Sequence, residues 1–276
     1  MTRQEEKSSP AVIGEMYNRL TDSCAGALGG NLHVGYWSDE NDRTSVTEAT
    51  DRLTDLVAER LMLTPGQRVL DVGSGNGRPA ARVASGHDVH VSGITLSEHQ
   101  VQLGQARPEA GEGPGRADFR LADAMRLPFD DACFDAAYAI ESIVHMEDPA
   151  AAFGEIARVL RPGGRLVVAD WYLSGPLAGD DAAVVERFCR MFHVHFLTTA
   201  DELREQADRA GLKIEEFEDI WPNISRSFSL VGEILPVSAA EVGGETGEEL
   251  ADCGEMYRCF GEIPQVSYVL FAALRR

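Results

Sequence analysis

The chain has 276 residues, 44% of them hydrophobic, and a formal net charge of -20 from 45 acidic against 25 basic residues. That length allows one large domain or a core with a sizeable cap, which can bury its own apolar interior without a metal or disulfide staple. The acidic surplus repels phosphate backbones and anionic lipid, so nucleic-acid and membrane-surface partners are excluded as a main function.

Residues 1–12 are polar, carry no apolar signal segment and read as disordered. Val12 to Leu20 read as a short helix, followed by a glycine-rich aromatic loop from Gly26 to Trp37. Residues 45–63 repeat Ala49, Leu53, Leu56, Val57 and Leu61 at helical spacing, and Pro65-Gly66 punctuates the end. Strand and helix then alternate. Strands are expected at Arg68–Val72, Asp88–Ile94, Asp118–Leu121, Cys133–Ile140 and Arg165–Asp170. Helices are expected from Pro79, over Ser97–Ala106 and over Pro149–Leu160, with 108–116 a loop and Arg161-Pro-Gly-Gly164 a sharp stop. This rhythm implies a parallel sheet covered on both faces.

After Trp171 the rhythm changes. Residues 180–197 read as helix, and Thr199-Ala-Asp-Glu202 is a capping box that opens another helix to Ala210. Leu212–Ile220 is a strand, 222–262 is mostly helical and broken by glycines, and Gln265–Leu274 closes as a strand. The late strand after a long excursion suggests a cap over the carboxyl edge of the sheet. No apolar run approaches the roughly 18 residues that span a bilayer. The five cysteines form no Cys-x-x-Cys pair, which points to thiols in a reducing cytoplasm.

The strongest signal is Val69-Leu-Asp-Val-Gly-Ser-Gly-Asn-Gly-Arg-Pro79, where a strand runs into Gly73-x-Gly75-x-Gly77. Glycines there allow a tight turn and close approach of a ligand to the backbone. The third glycine falls one place early for a dinucleotide site, with Arg78 where it should stand. Asp71 would repel a pyrophosphate but suits a cationic amino acid moiety. S-adenosylmethionine carries an ammonium, a sulfonium and no phosphate, so the charge logic favours it.

Together with Leu121-Ala-Asp-Ala-Met-Arg-Leu-Pro-Phe129, Phe134-Asp135, His145-Met-Glu-Asp148 and Glu155-Ile-Ala-Arg-Val-Leu-Arg-Pro-Gly-Gly164, this turn resembles the class I methyltransferases. Adding Asn31-Leu-His-Val-Gly-Tyr-Trp37 and Ala49-Thr-Asp-Arg-Leu-Thr54, it is most similar to those of bacterial natural-product pathways, of the rebeccamycin sugar O-methyltransferase type. Sterol and tocopherol methyltransferases look like more distant relatives.

The resemblance implies an α/β Rossmann-like sheet with a helical cap. Residues 1–63 would form N-terminal helices and a lid, 64–172 the cofactor-binding core, and 173–276 the cap with the last two strands. It implies S-adenosyl-L-methionine as cofactor, S-adenosyl-L-homocysteine as product, a small secondary metabolite as partner, and a monomer or homodimer. Carried over by position, Gly73, Ser74, Gly75 and Gly77 hold the methionine part, and Asp123 and Ala124 lie beside the adenine. Thr95, Leu96 and Gln100 stand where many relatives have an acidic ribose ligand, and Tyr17 and Trp37 close the lid. Asp123 can instead cap a turn, and Gln100 can be a solvated helix residue.

Glu141 follows the fourth strand, where it can face the sulfonium, a substrate hydroxyl or a carbocation, or bond loop amides. His145 suits a base that takes a hydroxyl proton, or a contact to the cofactor. In the resembling branch the catalytic histidine is the first of a His-His pair, and this chain has Val144 in that place, so the most obvious O-methylation base is missing. Asp170 matches a second acidic residue of that branch. His193 and His195 read as pocket-lining or packed residues rather than metal ligands. O-methylation is the first expectation and C-methylation the second. A third is ring closure without methyl transfer, as in spinosyn-type cyclases on the same fold. Val144, Thr198, Thr199 and an apolar cap (Phe188, Phe192, Phe196, Leu197, Phe228, Leu230, Ile234 and Leu235) keep that reading open.

Overall fold

The computed structural model describes residues 9–107, 115–195 and 197–276. The expected disorder up to residue 8, most of the 108–116 loop and Phe196 lie outside the described residues. The strands are β1 (Arg68–Val72), β2 (His90–Thr95), β3 (Arg116–Leu121), β4 (Phe134–Ile140), β5 (Leu160–Leu173), β6 (Leu212–Asp219) and β7 (Val266–Arg275). They form one seven-stranded sheet in the order β3-β2-β1-β4-β5-β7-β6. The first five run parallel, and β7 pairs antiparallel with both β5 and β6.

The first helices are α1 (Pro10–Ala27), α2 (Val46–Leu61), α3 (Arg78–His87), α4 (Glu98–Gln105) and α5 (Pro149–Val159). Beyond them lie α6 (Gly179–Met191), α7 (Ala200–Arg209), α8 (Trp221–Ile224), α9 (Arg226–Val242) and α10 (Gly244–Gly261). Strand alternation sorts the core into two layers. Val69, Ala136, Tyr138 and Val167 pack with Leu53 and Val57 of α2 and with the cap helices. Leu70, Ala137, Ala139 and Val168 pack with Phe153 and Ile156 of α5 and Leu203 of α7.

Helix α1 runs seven residues past the expected Leu20 and starts two before Val12, because Ser9 caps it and Pro10 suits its first turn. The capping boxes of α2 (Ser45 with Glu48) and α7 (Thr199 with Glu202) are both present. Arg161-Pro-Gly-Gly164 does not separate helix from strand. Leu160 already pairs with Phe134, Arg165 with Ala136, and the residues between bulge outward. In the cap, the rings of Phe188, Phe228 and Phe260 gather around Trp171, with Phe188 stacked on Phe260 at 3.7 Å. These rings fill space against one another instead of lining the cleft described below.

Candidate active site

The carboxyl ends of β1 to β4 open into a cleft, which α1 covers with Pro10, Ile13 and Tyr17. Its floor is the glycine turn. Gly73 and Gly75 have φ of +82° and +51°, values that favour glycine. A Cβ on Gly73 would stand 2.3 Å from that of Ser142, so this position has no room for a side chain. Gly77 also has positive φ, but its missing Cβ faces Phe119 and Gly104; it lets α3 sit close to the sheet and does not line the cleft.

Asp71, 2% exposed, lines the floor and accepts a hydrogen bond from Tyr138 Oη at 2.8 Å. The two residues are register partners on β1 and β4. Burial pushes this carboxyl up to about 7, against the pull of the Tyr138 bond. Ser74 Oγ is buried without a hydrogen-bond partner. Buried hydroxyls of this kind ordinarily have one, so the atom fits a ligand group.

Thr95, Leu96 and Gln100 line the next wall. Both ends of Gln100 are engaged, since Thr95 Oγ1 donates to its Oε1 at 2.5 Å and its Nε2 donates to Thr21 Oγ1 of α1 at 3.0 Å. Asp123 and Ala124 stand opposite, where Asp123 Oδ1 caps the turn by accepting from the Met125 amide.

Glu141, Ser142 and His145 form the remaining wall. Glu141 has φ of +49°, a strained conformation for a non-glycine residue. Its Oε1 accepts from the Val34 amide at 2.8 Å and from Tyr268 Oη at 3.1 Å. Burial pushes its carboxyl up to about 8; the Val34 bond opposes this and the nearby Asp170 charge adds to it. His145 Nδ1 lies 3.3 Å from the carbonyl of His193, which only accepts, so Nδ1 carries the proton. Burial lowers the His145 pKa to about 4, so the ring is neutral and Nε2 is an acceptor. Tyr17 Oη therefore donates to Nε2, at 2.8 Å.

Asp170 and Trp37 do not line the cleft. Asp170, 3% exposed, accepts from the amides of Ile143, Val144 and Trp171 and fixes the loop that carries His145. Trp37 is held by α8, with its indole donating to Thr44 and its backbone bonded to Asn223. His195 lines the cleft, while His193 contributes its carbonyl. Sequence reasoning passed over Tyr138 and Tyr268. Tyr138 bonds to its register partner on β1 and Tyr268 reaches past β5 to Glu141, signals visible only once the strand order is known.

The pH dependence of stability has a definite sign. Asp71, Asp170 and Glu141 hold their protons in the fold to about 7, 7 and 8, while the unfolded chain loses them near pH 4. Their stabilising contribution is complete below the unfolded values and is lost as pH rises through the folded ones. His33 and His145, both lowered to about 4, act in the opposite direction, but only below about pH 6.5. The melting temperature of the ligand-free protein should therefore fall between about pH 6.5 and 8.5, and Glu141→Gln should shrink that fall. Calorimetric scans across this range check it, and a rising melting temperature would contradict it.

The lining fits S-adenosylmethionine. It contains four carboxyl side chains (Asp71, Asp123, Glu141 and Glu147) and, among the described residues, no lysine or arginine, which suits a cationic ligand and not a phosphate. The unsatisfied Ser74 hydroxyl supplies a polar contact, and the backbone of Gly73 and Gly75 lines the floor.

Residues 70–168 match the methyltransferase domain family. O-methyltransferase rstn1 of Aspergillus nomiae is 44% identical over 208 residues, 75% of this chain and 92% of the relative. The 27-O-demethylrifamycin SV methyltransferase of Amycolatopsis mediterranei is 38% identical over 97% of this chain and 98% of its own. Among solved structures, the cyclase SpnF superposes with a TM-score of 0.83 at 33% identity, over 97% of this chain and 96% of that one. The chain belongs to the class I S-adenosylmethionine-dependent methyltransferases of natural-product biosynthesis, with S-adenosyl-L-methionine as its cofactor.

Proposed function

We propose that this enzyme methylates a hydroxyl oxygen of a polyketide-type secondary metabolite, with His145 as the base. The observation that carries this reading is the neutral His145 imidazole on the cleft wall, with its proton on Nδ1 and its Nε2 an acceptor that Tyr17 engages until a substrate hydroxyl replaces it. Bound S-adenosylmethionine supplies an electrophilic methyl group on a sulfonium. Asp71 attracts the ammonium end, and the Ser74 hydroxyl and the backbone of the glycine turn hold the methionine part. Leu96 and Ala124 flank the adenosine. Asp170 aims the loop, His145 accepts the hydroxyl proton, and α1 excludes water from above. Holding the reactants in line contributes roughly 7–11 kcal/mol. Glu141, protonated at neutral pH, ties the Val34 and Tyr268 walls together and leaves the His145 side free of a second negative charge.

The test is mass spectrometry after incubation with S-adenosylmethionine and a panel of hydroxylated macrolactams and macrolides, 27-O-demethylrifamycin SV among them. The expected product is heavier by one CH2 unit, forms only with the methylated cofactor, and carries the new methyl on oxygen. A methyl found on carbon would reassign the acceptor. An isomer of unchanged mass, formed with S-adenosylhomocysteine bound, would replace methyl transfer by ring closure. The ring-closure reading loses some of its footing here, because Thr199 is engaged in its capping box and the cap rings are packed together.

A further inference from the structure

We propose that Tyr17 is the positioning residue for His145, so that closing the lid helix and orienting the base are one event. The inference rests on His145 being the base, as above.

One face of α1 carries Ile13, Tyr17 and Thr21 at intervals of four residues; Ile13 and Tyr17 line the cleft, and Thr21 meets Gln100. Three contacts seat this helix at the cofactor end. Gly14 leaves no room for a Cβ against the Leu96 carbonyl, which would stand 2.3 Å away. Asn18 Oδ1 accepts from Ser97 Oγ at 2.7 Å and from the His99 amide at 3.2 Å. Thr21 Oγ1 accepts from Gln100. A single side chain of α1 makes a hydrogen bond to the histidine at the transfer end: Tyr17 Oη donates to His145 Nε2 at 2.8 Å. The rings also meet edge to face, with centroids 5.5 Å apart and planes at 85°.

This bond selects among the states of His145. A phenol that donates to Nε2 requires the lone pair there, hence the proton on Nδ1, the tautomer that the His193 carbonyl also requires. With α1 displaced, the ring keeps the His193 carbonyl contact at 3.3 Å and loses its bond at Nε2, so its orientation is held at one nitrogen instead of two. With α1 seated, Nε2 is fixed toward the cleft beside Tyr17, and an acceptor hydroxyl takes over the place of the phenol proton. Base orientation therefore follows from lid closure, which is also the step that excludes water.

Two readouts on the full-length protein with S-adenosylhomocysteine bound test this without any acceptor. In 15N-histidine NMR, wild-type His145 should show one neutral tautomer with the proton on Nδ1 and a hydrogen-bonded Nε2. Tyr17→Phe, which removes only the hydroxyl, should shift the Nε2 resonance to that of a nitrogen without a hydrogen-bond donor. In amide hydrogen exchange, Tyr17→Phe and His145→Ala should each speed exchange along α1 by about fivefold, the factor set by one ordinary hydrogen bond. The double variant should add nothing further, since both changes break the same bond. Unchanged His145 nitrogen resonances in Tyr17→Phe, or additive effects in the double variant, would overturn the proposal. Full methyl transfer by His145→Ala would instead remove the base reading and leave the NMR result to stand by itself.

Discussion

Replacing His145 by alanine should lower kcat for methylation of a hydroxyl by about 10²- to 10⁴-fold, the usual worth of a positioned base. Affinity for S-adenosylhomocysteine should stay nearly constant, because the cationic end is met by Asp71 and the glycine turn, not by the imidazole. Single-turnover kinetics and titration calorimetry separate the two effects. Loss of cofactor affinity with the rate of bound enzyme intact would reassign His145 to cofactor binding. The pH profile adds a second check. An ordinary histidine protonates near pH 6.5, so activity would fall below it. Here burial holds the ring neutral down to about 4, and the rate should show no histidine limb between about pH 6 and 8.

The second large effect belongs to Asp71. Asp71→Asn should weaken binding of S-adenosylhomocysteine by roughly a hundredfold, the loss of a buried charge-assisted contact of about 3 kcal/mol. The wild-type affinity should itself depend on pH. In the empty cleft the carboxyl holds its proton up to about 7, and an ammonium ligand favours the ionised form. Binding below that value must release a proton, so affinity should rise by about tenfold from pH 6 to 8. Calorimetry in two buffers of different ionisation enthalpy measures the released proton directly. Asp71→Asn should abolish both the release and the pH dependence; a variant that keeps them would locate the proton elsewhere.

Much of the fold was legible because its signals are local. The strand entering Gly73, the alternation up to Asp170 and the Thr199–Glu202 box each depend on residues a few positions apart. The antiparallel placement of β7 between β5 and β6 was not legible, since nothing in Val266–Arg275 states which strands it will join. The site divides in the same way. Motif positions such as Gly73, Ser74, Asp123 and His145 line the cleft. Trp37 and Asp170 were read as facing it because the resemblance places them in a lid and at a second acidic position. Their backbone and indole bonds turn them to structural work instead. Gln100 lines the cleft and, at 3% exposed, is not the solvated helix residue that was the other expectation, yet it spends its amide on Thr21 and Thr95. Which polar atoms a neighbour already occupies depends on tertiary contacts, and those lie beyond any motif.

The position of β7 also governs the order in which the molecule can assemble. It follows every other strand in sequence, yet it occupies an interior slot and is the sole neighbour of β6. While a ribosome is still making residues 266–275, β5 presents an open edge and β6 has nothing to pair with. Such an edge is a template for other chains, so the nascent protein is most prone to aggregate just before synthesis of this strand. Tyr268, which donates to Glu141, arrives in the same segment. The cleft wall and the sheet are thus completed together, and a chain stalled a few residues early would lack both.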